Sequence, residues 1–118
     1  MLFTTVSAAV AFATLAFAGD CKPSDPYGQE CVNVYSGQNC QAGSQSTSYK
    51  PTCKGNCYRY PFNSLNVQGS YFYGTNCVAY SDTNCNNKIG QTGNIVGQGN
   101  GKCVNFHGGQ SMKCYYKC

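Results

Sequence analysis

The chain of 118 residues contains no tryptophan, a single histidine, only four acidic residues and a charged fraction of 10%. Each scarcity removes a class of function. General acid–base catalysis needs a positioned pair of titratable groups, and the chain offers Asp20, Asp25, Glu30, Asp82 and His107, with three of the four carboxylates near the N-terminus. No nucleophile, metal or phosphate motif accompanies them. The glycines of Gly97-x-Gly99-x-Gly101 precede a strand-like run rather than a helix, so they do not form a nucleotide loop. With eight basic residues and no basic run, nucleic acid is not expected as a partner. No Asn-x-Ser/Thr site occurs, so N-glycosylation is not expected either. The expectation is a protein that is not an enzyme and carries no cofactor or metal.

Helical periodicity is also missing. After residue 18 the apolar residues never recur at helical spacing over three turns. Fourteen glycines, four prolines and many Asn, Gln, Ser and Thr break the chain into short extended runs, which predict strands near 31–35, 44–49, 56–60, 64–73, 76–80, 88–91, 102–106 and 111–117. Asn100-Gly101 is a hairpin signal. Residues 19–29, with Pro23 and Pro26, read as an extended arm pinned by Cys21.

Residues 1–18 hold no charged side chain and are rich in Ala, Phe, Leu and Val. Ala16-Phe17-Ala18 places small residues where a signal peptidase reads them, so 1–18 is expected to be a signal peptide and 19–118 one secreted, extracellular domain without stable membrane insertion. All ten cysteines lie in that domain: Cys21, Cys31, Cys40, Cys53, Cys57, Cys77, Cys85, Cys103, Cys114 and Cys118. Their even number and density predict five disulfides. Zinc at Cys53-x-x-x-Cys57 is a minor alternative, as the chain has a single histidine to complete such a site. Pairing stays open; Cys114 and Cys118 are expected to tie down the C-terminus. The bridges supplement a thin core, since large aliphatic residues are few; each is worth about 2–4 kcal/mol.

What the chain does contain is a repeat. Cys31-Val-Asn-Val-Tyr35-Ser-Gly-Gln-Asn-Cys40 returns as Cys77-Val-Ala-Tyr80-Ser-Asp-Thr-Asn-Cys85, one residue shorter before its tyrosine. The segment around Ser64-Leu65-x-Val67 answers Ser111-Met112-x-Cys114. Two copies, about 31–75 and about 76–118, follow.

Tyr35, four residues, Cys40 and then Gly43, with Ser64 further on, is similar to the Greek-key motif of βγ-crystallins, with cysteine in the second aromatic position. The resemblance implies an all-β, disulfide-rich β-sandwich of two Greek-key repeats. The small cysteine-rich secreted microbial proteins of this fold, of killer-toxin, antifungal and fungal-effector type, are the nearest in kind. Crystallin-type modules often bind calcium through residues just before that serine; here those positions hold Arg59-Tyr60 and Phe106-His107, which lack the oxygen ligands calcium needs.

Binding is therefore the expected activity. The chain carries a net charge of +4, and its cations sit among tyrosines: Lys50, Lys54, Tyr58, Arg59 and Tyr60 in the first copy, and Lys113, Tyr115, Tyr116 and Lys117 in the second. These nine residues form the expected binding surface, for a host extracellular protein or a cell-wall polysaccharide. The reading is of a monomeric effector-type protein; an antimicrobial or killer-toxin-like protein and a structural wall protein are the alternatives.

Overall fold

The structure is a computed structural model that describes Cys21, residues 30–97 and residues 101–118. The expected signal peptide, most of the N-terminal arm and part of the Asn100-Gly101 turn lie outside the described residues. Among the described residues the chain is all-β, with one turn of 3-10 helix at Ala42–Ser44. The strands are β1 (Cys31–Tyr35), β2 (Gln45–Tyr49), β3 (Cys57–Gln68), β4 (Gly74–Tyr80), β5 (Lys88–Gln91), β6 (Ile95–Val96) and β7 (Lys102–Tyr116). They form an antiparallel sheet in the order β2-β1-β3-β7-β4-β5, with β6 paired to β4. No helix among the described residues is long and apolar enough to cross a membrane.

Two expectations about strands are corrected. The runs 56–60 and 64–73 are one strand, β3, and 102–106 and 111–117 are one strand, β7. The ladder between them shifts register on either side of Phe62, which pairs with Gly109. A side chain on Gly109 would come within 2.4 Å of the Phe62 ring, so glycine lets the strands stay paired around a large aromatic. The chain also leaves the sheet sooner than expected, at Gln68 rather than 73. A Cβ on Gly69 would lie 2.1 Å from the Ile95 carbonyl oxygen, and residues after it turn away.

The long strands are shared between the two halves of the chain. Cys57 to Arg59 pair with Lys113 to Ser111, whereas Ser64 to Val67 pair with Asn105 to Lys102. β1 adds to the later part of β3, and β4 adds to the later part of β7. Each half thus lends its third extended segment to the other. Val32, Val34, Leu65 and Val67 from one half join Cys77, Ala79, Ile95, Met112 and Cys114 from the other in one buried cluster, with Phe62 and Phe106 edge to face at 5.7 Å between them. Burying this set supplies the main driving force for folding.

The same corner is built twice. The Cys40 N–H donates to Ser64 Oγ (3.0 Å), whose hydroxyl donates to the Gly37 carbonyl (2.6 Å). In the second half the Cys85 N–H donates to Ser111 Oγ (3.2 Å), whose hydroxyl donates to the Asp82 carbonyl (2.5 Å). Both serines are fully buried, so each hydroxyl needs both bonds. Cys40 and Cys85 both adopt positive φ, 49° and 56°, a region non-glycine residues rarely visit.

All five disulfides form: Cys21–Cys31, Cys40–Cys103, Cys53–Cys118, Cys57–Cys85 and Cys77–Cys114. Cys53 and Cys57 have different partners, which removes the zinc alternative. Cys40–Cys103 and Cys57–Cys85 are equivalent under the repeat; each staples one half's corner to the strand segment lent by the other. Cys114 and Cys118 do hold the C-terminal segment, through Cys77 and Cys53. Five bridges indicate an oxidising compartment.

The repeat alignment needs one change. Tyr35 pairs with Ser64 and Tyr80 with Ser111; counting back from the tyrosines without a gap, Val32 matches Cys77 and Cys31 matches Asn76. The two cysteines that open the copies in the sequence therefore face opposite sides of the sheet. A shift of one residue along a strand exchanges its faces.

Candidate functional site

β4 has the sequence Gly74-Thr-Asn-Cys-Val-Ala-Tyr80 and alternates strictly: Thr75, Cys77 and Ala79 are buried while Gly74, Asn76, Val78 and Tyr80 are half-buried. The first set enters the core and the second forms an outer face. Residues directly opposite in a ladder share a face, so Tyr115, opposite Asn76, and Lys113 and Gln91, both opposite Val78, belong to it.

Beside this face stands an aromatic turn. Tyr71, Phe72 and Tyr73 are 68%, 78% and 46% exposed. The turn is held by hydrogen bonds: the Ser70 N–H donates to the Tyr73 carbonyl (2.8 Å) and the Tyr73 N–H to Ser70 Oγ (3.2 Å). The Gly97 N–H donates to the Ser70 carbonyl (3.0 Å), which fastens the turn to the residue after β6. A run of exposed rings on a hydrogen-bonded turn is unusual, since burying such side chains is worth about 1.5–3 kcal/mol each.

Between the turn and the outer face of β4 lies a groove of about 580 Å³, lined by Phe72, Tyr73, Asn76, Gln91, Asn94, Val96, Tyr115 and Lys117, among others. That volume lies within the range of ligand sites, about 300–1,000 Å³. Two glycines shape it. A Cβ on Gly74 would lie 2.2 Å from Asn94 Oδ1, and one on Gly55, at φ +64°, would lie 2.1 Å from the Tyr115 ring. The Lys117 ammonium rests 4.9 Å from the centre of the Tyr73 ring, whose edge meets Tyr116 at 6.4 Å. Asn76 Oδ1 is buried and has no hydrogen-bond partner within the protein.

The structure divides the nine expected binding residues among three places. Tyr115 and Lys117 line the groove, and Tyr116 buttresses Tyr73. Arg59 and Lys113 lie on the same outer face, because the first part of β3 pairs with the last part of β7; the two expected clusters are neighbours. Tyr58 and Tyr60 point the other way and pack against the core, stacked in a row with Tyr49 at 4.1 Å and 6.2 Å. Burial, and next the adjoining Tyr58, push the Tyr49 hydroxyl far above the usual tyrosine range. Lys50 and Lys54 are exposed on the connection between β2 and β3, Lys50 beside a small cavity of about 110 Å³.

Phe72, Tyr73, Asn76, Gln91 and Asn94 were not anticipated. The available signal was Tyr71-Phe72-Tyr73 bracketed by Gly69-Ser70 and Gly74. Of the residues aligned with calcium ligands, Tyr60 and Phe106 are engaged in aromatic packing, and Arg59 and His107 are exposed. Among the described residues no three His, Cys, Asp or Glu side chains cluster as metal ligands would. Asp82 is committed to its turn: backbone N–H groups, first that of Asn87 and then those of Asn86 and Asn84, hold its carboxyl below the usual carboxylate range against a smaller opposing effect of desolvation.

In comparisons with protein-family models, with curated proteins and with solved structures, nothing matched this chain.

Proposed function

We propose that this is a secreted, effector-type protein of crystallin-like double Greek-key form that acts outside the cell, without catalysis, by binding a host or cell-wall component. The observation that carries the reading is the open groove walled by a hydrogen-bonded turn of exposed aromatics. The double Greek key is supported by the exchange of extended segments between halves and by the twin serine corners. A scaffold stapled by five disulfides suits an oxidising, protease-rich exterior.

The test has two steps. Expression of the full chain in a secreting host should release a protein beginning at Gly19. The oxidised protein, immobilised, should then retain an extracellular protein or a wall polysaccharide, and retention should fall when Phe72 is replaced by alanine. Retention of nothing from either source counts against the proposal. A second reading, action on competing microbes, is favoured by Arg59 and Lys113 sharing an outer face with Tyr115. Growth inhibition of yeasts, moulds or bacteria by micromolar oxidised protein would favour it.

A further inference from the structure

The groove's chemistry narrows the ligand. Its walls are aromatic rings at Phe72, Tyr73 and Tyr115, and its polar groups include the neutral carboxamides of Asn76, Gln91 and Asn94. The one lysine among the lining residues, Lys117, is drawn to the face of the Tyr73 ring. No acidic or guanidinium side chain lines the groove and its one ammonium, Lys117, rests against a ring, so carboxamides outnumber charged side chains as partners for a ligand.

From this we infer that the groove binds a neutral glycan chain of β-linked pyranose units, a conclusion that rests on the extracellular-binding reading above. Three features lead to it. A pyranose whose hydroxyls and glycosidic bonds are all equatorial, as in a β-linked chain, presents a flat face of C–H groups that an axial α-linkage would interrupt. An exposed ring such as Phe72 covers that face without losing a hydrogen bond. The rim of the same sugar offers hydroxyls that both donate and accept, as carboxamides do. Asn76 supplies the third feature: its buried Oδ1 has given up water and gained no partner in the protein, and a turn of the carboxamide toward a ligand hydroxyl restores the lost bond. An open groove of about 580 Å³ suits several linked units better than a single sugar.

The test is an NMR titration of the oxidised protein with cellohexaose and laminarihexaose, with maltohexaose and polygalacturonate as α-linked and acidic controls. The expected result is saturable movement of the backbone signals of Phe72, Asn76 and Gln91 with at least one β-linked probe, at an affinity at least tenfold above that for either control. Phe72→Ala, at a position 78% exposed and so neutral for folding, should weaken binding at least tenfold. Asn76→Ala should weaken it by a smaller factor, and Gln41→Ala, at an exposed position in the first half, should leave it unchanged. No movement with either β-linked probe at millimolar concentration overturns the inference, as does equal or tighter binding of either control, or unchanged binding by Phe72→Ala. If the inference falls while the secreted protein still retains an extracellular protein, the broader functional reading stands.

Discussion

β1 and β4 hold equivalent places in the two halves but differ in exposure. All five residues of β1 are buried, whereas β4 buries only alternate residues. The difference lies on the outer face. At the position of Asn76 the first half has Cys31, bonded to Cys21; Cys21 in turn contacts β2, where the Ser48 hydroxyl donates to its carbonyl at 2.7 Å. Asn33 accepts from Gln45 Nε2 at 3.1 Å, and Tyr35 is bonded to Asn66. The outer face of the first half is therefore closed by its own chain, while that of the second half is left open as the groove. A duplicated backbone specifies where side chains point; what covers them decides whether they pack or bind.

The largest effect is expected where the halves are stapled together. Replacing Cys40 and Cys103 by serine should cost about 4 kcal/mol, and replacing Cys57 and Cys85 about 3.5 kcal/mol, from sequence separations of 63 and 28 residues. Denaturant midpoints of the two double variants would show whether the equivalent bridges contribute equally.

The Cys21–Cys31 bridge closes a smaller loop, 10 residues, and replacing both cysteines by serine should cost about 2.5 kcal/mol. Hydrogen exchange should quicken at Asn33 and Tyr35 and stay unchanged in β4. Equal loosening of β4 would show that the cover is not local.

Ser64→Ala and Ser111→Ala should each cost about 2 kcal/mol, since each removes a fully buried hydroxyl that serves one N–H and one carbonyl. Urea titration of the single variants should return similar losses; a cost confined to one of them would end the equivalence of the corners.

The smallest effect depends on pH. Asp82 has its counterpart in Gly37, so only the second corner carries a carboxylate. Because the folded-state value of Asp82 is lowered, its contribution is present above the unfolded value, about 3.9, and is lost as pH falls through the folded value. Amide exchange at Asn86 and Asn87 should quicken below pH 4 relative to Ser36, its equivalent Ser81 moving with them. Asp82→Asn should remove the dependence.

Much of the fold was legible in the sequence because its signals are local. Glycine and asparagine between short β-branched runs placed β1, β2, β4 and β5 within a residue or two, and cysteine density announced the five bridges. The site was legible only in part. Tyr115 and Lys117 were among the expected residues, but Tyr58 and Tyr60 were assigned to the surface on the strength of adjacent cations, and alternation along β3 turns them inward on either side of Arg59.

Local sequence was enough to dictate an all-β chain, its disulfide content and its two-copy repeat, since extended runs, thiol number and repeats are read from neighbouring residues. Tertiary structure alone decided which cysteine met which, that Cys31 and Cys77 lie on opposite faces, and that Asn76 ended beneath an aromatic turn. Those outcomes depend on strand register and on pairing between residues tens of positions apart, where a shift of one residue moves a side chain from the core to the surface.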